Sequence, residues 1–274
     1  MKAKIAFALA ALCLVLNAQM LLAQPTLQLL FKIDTPATFI ATDNLDNIYL
    51  ITEKNELLKY SQAGKLLWNY SNKALGKPSY VDTTDPMRIL LFYPALQQAV
   101  VLNNTLNEIN RFNFGHDTSR QITLVSTSNS NGYWVYDQSN RQLQKLSNQF
   151  NPQQQSANIY QESGLAIQPE FMASTDQNVY LYDPQTGILQ TDRFGTFIKN
   201  FSVGRINFFQ VKEQELLFLK DGIWHRVNIS DKHTTQRITV GTNTAQVSEG
   251  NSILATLEEK KINVYSINKE NENK

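Results

Sequence analysis

Cysteine is nearly missing from this 274-residue chain: Cys13 is the only one. A disulfide framework is therefore excluded. Histidine is also scarce. His116, His225 and His233 are the only three, and none has a second ligand nearby in an HxH or HExxH arrangement. A metal centre is not expected. The chain also lacks a GxSxG elbow, a Walker loop and a GxGxxG turn, so the usual nucleophile and nucleotide signatures are missing. No cofactor is expected. Charge of one sign is lacking as well, with 25 Lys+Arg against 24 Asp+Glu. A nucleic-acid partner, which calls for clustered cations, is not expected. Sustained helical periodicity is absent apart from the short piece PALQQAVVLNN at 94–104.

Long hydrophobic runs are lacking too. The longest, Ile5 to Leu16, has twelve residues, too few for the roughly 20 that span a bilayer. Preceded by Lys2 and Lys4 and interrupted by Asn17, it has the layout of a secretory signal peptide. Residues 1–23 are expected to be that signal, with cleavage after Ala23 or Ala18, both of which carry Leu at the −3 position. Leu12 stands before Cys13 where a lipoprotein signal has a small residue, which favours a product without a lipid anchor. Removing Lys2, Lys4 and Cys13 leaves 23 basic and 24 acidic residues and no thiol. Such a chain has nothing to oxidise in an oxidising compartment, and cysteine catalysis is ruled out for it. The expected location is the periplasm or outside the cell, with no transmembrane segment in the mature chain.

What is present is a succession of short apolar runs rich in Ile, Val, Leu, Phe and Tyr, punctuated by Asn, Asp, Gly, Ser and Pro. This is strand-and-turn patterning. Residues 39–71 divide into FIAT, NIYLIT, ELLKYS and KLLWNYS, and residues 171–203 repeat the plan as FMAST, NVYLYD, ILQTDR and TFIKNFSV. Using the second strand as anchor, further copies start at Ile48, Ile89, Tyr133, Val179, Leu216 and Ile253, at intervals of 41, 44, 46, 37 and 37 residues. Blades of a β-propeller, four-stranded antiparallel sheets around an axis, take roughly 40–45 residues. The expectation is all-β: a six-bladed β-propeller over residues 24–268, followed by a polar tail at 269–274. The last copy lacks a fourth strand, while Thr26 to Ile33 (TLQLLFKI) is a strand without a blade. Residues 26–33 are therefore expected to pair with 261–267 and close the ring, which also covers an exposed edge.

DNLDNIYLI and DQNVYLY resemble the second-strand signature of NHL-type propeller repeats, and QAGKLLWNY resembles the outer strand of quinoprotein-type repeats. The resemblance implies the propeller fold and binding at one face of the disc, and it carries no catalytic residue across. A quinone-cofactor enzyme is a third and weaker reading, because the likeness lies in an outer strand.

Several residues bear on function. Asp43, Asp46 and Asn47 have the oxygen spacing of a calcium loop, but DNLDNIYLITEK lacks the EF-hand order, so a hairpin turn is expected there. Asp176 to Asn178 and Asn129 to Gly132 occupy the equivalent joint. Trp68, Trp134, Trp224, Tyr49, Tyr180, Phe208 and Phe209 are expected to fill the spaces between blades for the most part. The face carrying the outer-to-inner connections and the loops between second and third strands includes FGHDTSRQ at 114–121 and GRIN at 204–207. His116, Arg120, Arg141, Arg205 and Asn207 form the candidate ligand site there, with guanidinium groups suited to carboxylate or phosphate.

Two functions remain open. One is an exported non-enzymatic propeller serving as a protein-interaction or cell-envelope scaffold, with an envelope protein as partner and a monomeric state. The other is a small-molecule or glycan-binding module, or a degenerate hydrolase or lyase, with its site at the channel mouth.

Overall fold

The computed structural model describes residues 27–128 and 132–267. The expected signal at 1–23, the tail at 269–274 and Asn129 lie outside the described residues. Among the described residues, twenty-four strands form six four-stranded antiparallel sheets. β1 (Gln28–Ile33) comes first in the chain. Blade 1 then contains β2 (Ala37–Thr42), β3 (Ile48–Thr52), β4 (Leu57–Tyr60) and β5 (Leu66–Tyr70). Blade 2 contains β6 (Val81–Asp82), β7 (Ile89–Tyr93), β8 (Gln98–Leu102) and β9 (Glu108–Asn113). Blade 3 contains β10 (Ile122–Thr127), β11 (Tyr133–Asp137), β12 (Gln142–Leu146) and β13 (Pro152–Gln155). Blade 4 contains β14 (Phe171–Ser174), β15 (Asn178–Asp183), β16 (Gly187–Asp192) and β17 (Phe197–Phe201). Blade 5 contains β18 (Phe209–Lys212), β19 (Glu215–Lys220), β20 (Ile223–Asn228) and β21 (Thr234–Thr239). Blade 6 contains β22 (Thr244–Glu249), β23 (Ile253–Glu258) and β24 (Lys261–Ser266), and its outermost strand is β1. Among the described residues, no helix is long and apolar enough to cross a membrane.

The expected blade count and closure both hold. β1 runs antiparallel to β24 with Leu29 opposite Tyr265, Phe31 opposite Val264 and Ile33 opposite Ile262. Ile33 is buried, and the Phe31 ring packs over Gly64, where it leaves no room for a Cβ. The piece at 94–104 resolves into a 3-10 turn at Pro94–Leu96 followed by β8. Second strands such as Ile48–Thr52 and Ile89–Tyr93 are buried at every position, since they pack on blades at both faces. Tyr49, Trp134 and Trp224 fill the spaces between sheets as expected, but Trp68 does not: on the outer strand β5, beyond the reach of the adjacent blades, it is 48% exposed.

The innermost strands are joined to one another by side chains. Between blades 6 and 1, the Gln246 carboxamide donates to the Ile40 carbonyl at 2.7 Å and accepts from its N–H at 3.2 Å. The Thr42 N–H donates to Ser248 Oγ at 2.9 Å. Thr83 Oγ1 donates to the Thr42 carbonyl at 2.8 Å and links blades 1 and 2. Asp82 accepts from the Thr127 N–H at 2.7 Å between blades 2 and 3, and Ser174 Oγ donates to the Thr127 carbonyl at 2.6 Å between blades 3 and 4. Gln210 brackets Glu249, accepting from its N–H at 2.7 Å and donating to its carbonyl at 3.2 Å, between blades 5 and 6. The joint between blades 4 and 5 has ring contacts, with Phe171 against Phe208 at 4.7 Å and against Phe209 at 5.3 Å.

The joint between blades 5 and 6 also holds a buried charge cluster. The Glu249 carboxylate is fully buried and accepts from Trp224 Nε1 at 2.9 Å and from the Arg226 guanidinium. Arg226 also pairs with Glu215 at 2.8 Å.

Two outcomes follow. Removing residues 27–33 exposes the β24 edge and the surface under Ile33 and Phe31. It should lower the unfolding free energy by at least about 5 kcal/mol, counting roughly 2 kcal/mol for the buried Ile33 and about 1 for each of at least about three net ladder hydrogen bonds. Urea denaturation followed by tryptophan fluorescence measures this, and removing 270–274 is the control expected to change little. An unchanged midpoint in the first truncation would refute the closure. Glu249→Ala leaves the Arg226 charge with Glu215 alone in a largely buried site, and it should cost about 3 kcal/mol in the same assay.

Candidate functional site

A cavity of about 450 Å³ lies on the propeller axis. Its walls come from the ends of inner strands, where Thr42, Thr83, Ser174, Gln210 and Ser248 present hydroxyl or amide groups. Its lip is formed by the turns between first and second strands and includes Asn44, Thr84, Asp176 and Glu213, all exposed. Toward the opposite face a cluster of rings closes the channel. Phe208 meets Phe39 edge-on at 5.5 Å and Phe171 at 4.7 Å, and Phe171 meets Tyr80 at 5.1 Å, so blades 1, 2, 4 and 5 each contribute a ring. The cavity is thus blind, opening on one face only. It widens into the joint between blades 4 and 5, where Asn178, Tyr180 and Val211 line it. Burial pushes the Tyr180 hydroxyl up to about 12. Behind it, Gln190 donates weakly to that hydroxyl at 3.5 Å, while its own Oε1 is buried without a partner.

The acids of the walls are already engaged. Asp43 accepts from the Leu45 and Asn47 N–H groups at 2.9 Å each, and from Asn47 Nδ2 at 2.8 Å and Tyr49 Oη at 2.9 Å. This is the side-chain-closed turn expected from DNLDN. Asp46 instead reaches blade 6, where its carboxylate accepts from the Ser252 N–H at 3.0 Å. Burial pushes the Asp82 carboxyl above the usual carboxylate range, against the opposing pull of the Thr127 and Thr84 donors. Glu249 is held as described above. Lys212 donates to the Gly250 carbonyl and stands 3.7 Å from Glu249. Asp176 and Glu213 are the acids of the lip that face solvent, and Glu213 sits at φ 51° in a tight turn. Among the described residues, no three His, Cys, Asp or Glu side chains gather as a metal site.

The five residues singled out from the sequence lie away from this cavity, on the face with the other set of loops. His116 is exposed in the 3-10 turn Phe114–His116, after β9. Arg120, in the same connection, pairs with Asp117 at 2.8 Å and donates to Gln144 Oε1 at 2.6 Å. Arg141 sits at φ 53° between β11 and β12, with its guanidinium 5.4 Å from the Tyr160 ring centre. Arg205 and Asn207 lie two joints further around the ring. There they line a pocket of about 420 Å³ with Lys220 and Thr244, and Asn207 donates to the Ala245 carbonyl at 3.0 Å. The structure therefore brings Arg205 and Asn207 together, sets His116 and Arg120 in the connection between blades 2 and 3, and turns Arg141 of blade 3 toward the connection to blade 4. The axial cavity was missed from sequence. Its signal was the hydroxyl ending the first strand of each clear repeat, Thr42 in FIAT and Ser174 in FMAS.

No family model matches the chain, and no curated protein does. Solved structures do. The WD40 propeller domain of Doa1 is 9% identical, with 90% of this chain and 98% of that one covered at a TM-score of 0.57. A catalytically inactive virginiamycin B lyase from Staphylococcus aureus, solved with quinupristin, is 11% identical over 89% and 99% at 0.56. PorZ, described as an essential surface component of the type-IX secretion system of Porphyromonas gingivalis, is 12% identical. The match covers 83% of this chain and 30% of PorZ, at 0.55. Likeness at such identities shows the fold, and the fold alone: this chain is a six-bladed β-propeller.

Proposed function

We propose that the chain is an exported, non-enzymatic propeller that acts as a protein-interaction scaffold of the cell envelope and receives its partner where the axial cavity opens. One observation carries this reading. The cavity is blind and its wall acids already hold backbone, indole or guanidinium donors, while Asp176 and Glu213 on the lip face outward. A polar lip with two solvent-facing carboxylates suits a partner segment bearing lysine or arginine and free peptide groups. The WD40 propeller domain of Doa1 shares the propeller architecture. Export rests on the pattern of residues 2–16, and the envelope assignment draws support from PorZ as a fold neighbour.

A small-molecule or glycan site is the second reading, favoured by the meeting of Arg205, Asn207 and Lys220 in one pocket on the other face. It is distinguished by where a variant acts. Capture from an envelope fraction with the wild-type chain should recover a specific protein, and Asp176→Lys with Glu213→Lys should reduce recovery at least tenfold without moving the unfolding midpoint. Because both side chains are exposed, binding should also weaken as salt is raised from 50 to about 500 mM. Recovery of no specific protein would sink the scaffold reading, and loss only on Arg205→Gln would favour the second.

A further inference from the structure

A second opening lies away from the axis, in the cleft between the outer parts of blades 4 and 5, with a volume of about 300 Å³. Strand register builds one wall. Phe218 on β19, His225 on β20 and Arg237 on β21 stand directly opposite one another in successive pairs, and Leu216, Val227 and Thr234 form the next row. Both rows line the cleft. Across from them, Phe201 and Val203, at the end of β17 and just beyond, supply an apolar counterwall.

The charges are of one sign: Lys220, Lys232 and Arg237 line the cleft beside His225, and among the described residues no carboxylate does. Lys220 Nζ donates to the Val203 carbonyl at 3.0 Å, and Lys232 Nζ donates to the Asn200 carbonyl at 3.0 Å while standing 5.4 Å from the Phe201 ring centre. Both ammonium groups are thereby held at the rim, on the blade 4 side. The imidazole of His225 lies flat against Phe218, with centroids 5.2 Å apart and 13° between the planes. Its pKa is held below the usual histidine value, first by burial and then by the positive charges of Arg237 and Lys220, with Asp221 acting in the opposite sense.

An apolar floor under a ring of cations is poor housing for a neutral or cationic ligand. It suits a molecule with a compact hydrocarbon body and one anionic end: the body removes the Leu216, Val227 and Phe201 surfaces from water, and the anion sits among the lysines and the guanidinium. We propose that this cleft binds a small amphiphilic carboxylate, with Arg237 and Lys220 holding the anion and the β19–β20 rows holding the tail. The site is separate from the axial lip, so it stands or falls independently of the scaffold reading.

The test is a titration of the intact protein with hexanoate, followed by ¹H–¹⁵N chemical shifts, with hexanol and inorganic phosphate as single-feature controls. Hexanoate should shift residues in 201–203, 216–220 and 225–237 and bind at least fivefold more tightly than either control. Arg237→Gln, at an exposed side chain, should weaken hexanoate at least fivefold and leave hexanol unchanged, and Lys220→Gln should act in the same direction. Shifts confined to other blades, phosphate binding as tightly as hexanoate, or an unaffected Arg237→Gln variant would each overturn the proposal.

Discussion

The first strand of every blade has one edge turned to the axis, where no further strand can pair with it, and the fold depends on how those backbone groups are satisfied. An unpaired buried N–H or carbonyl costs on the order of 1–3 kcal/mol. Side chains from adjacent blades take the place of the missing strand. Gln246 and Gln210 do so in the most literal way, each offering a carboxamide that donates and accepts as a peptide group would, to Ile40 and Glu249 respectively. Hydroxyls of Thr83, Ser174 and Ser248 and the carboxylate of Asp82 serve the other joints. Polar residues at the centre of the disc are thus required by the architecture before any ligand is considered. The same groups make the walls of the axial cavity polar.

The six joints are not alike, and their differences place the openings. Between blades 4 and 5 the inner contact is made by Phe171 with Phe208 and Phe209. The axial cavity widens into this joint beside Tyr180 and Val211, and the outer cleft opens along it between Phe201 and Phe218. Rings of this size fill space at the axis but cannot follow two diverging, twisted sheets out to the rim. Farther out the sheets separate, and the gap is bordered by Lys220, Lys232 and Arg237.

Strands and closure were legible in the sequence because their determinants are local. Alternating apolar runs and Asn, Asp or Gly turns mark each hairpin, so the anchors at Ile48, Ile89, Tyr133 and Ile253 coincide with observed strand starts. The spare strand at the beginning and the missing one at the end gave the β1–β24 pairing by elimination. The axial cavity was not legible. Its blind end depends on Phe39, Tyr80, Phe171 and Phe208 converging from blades far apart in the chain, which no local pattern records. The row Phe218, His225 and Arg237 needs two registers at once, and a shift of one residue in either would turn one member to the other face. Trp68 illustrates the converse, since its strand was correctly read while its depth in the blade was not. The charged loops at 114–121 and 204–207 stood out because loop charges are conspicuous in a sequence. Arg120 is largely taken up by Asp117 and Gln144, a contact invisible at that stage.

Blade 5 is held very differently on its two sides, and that bears on how either opening could be filled. Toward blade 6 it is fixed by directional bonds: the paired Gln210 contacts, Trp224 Nε1 on Glu249, and Arg226 between Glu215 and Glu249. Hydrogen bonds and buried ion pairs lose much of their value when geometry departs from the optimum. Toward blade 4 the inner strands meet through aromatic faces and edges, which tolerate small displacements at little cost because dispersion is summed over many weak contacts, and polar ties such as Lys220 to Val203 and Lys232 to Asn200 lie farther out, made by long side chains. Accommodation of a ligand in the cleft, or of a partner segment at the axis, therefore falls on the joint between blades 4 and 5 while the joint between 5 and 6 keeps its shape. The closing pair β1–β24 belongs to blade 6, on the side of that division held by directional bonds.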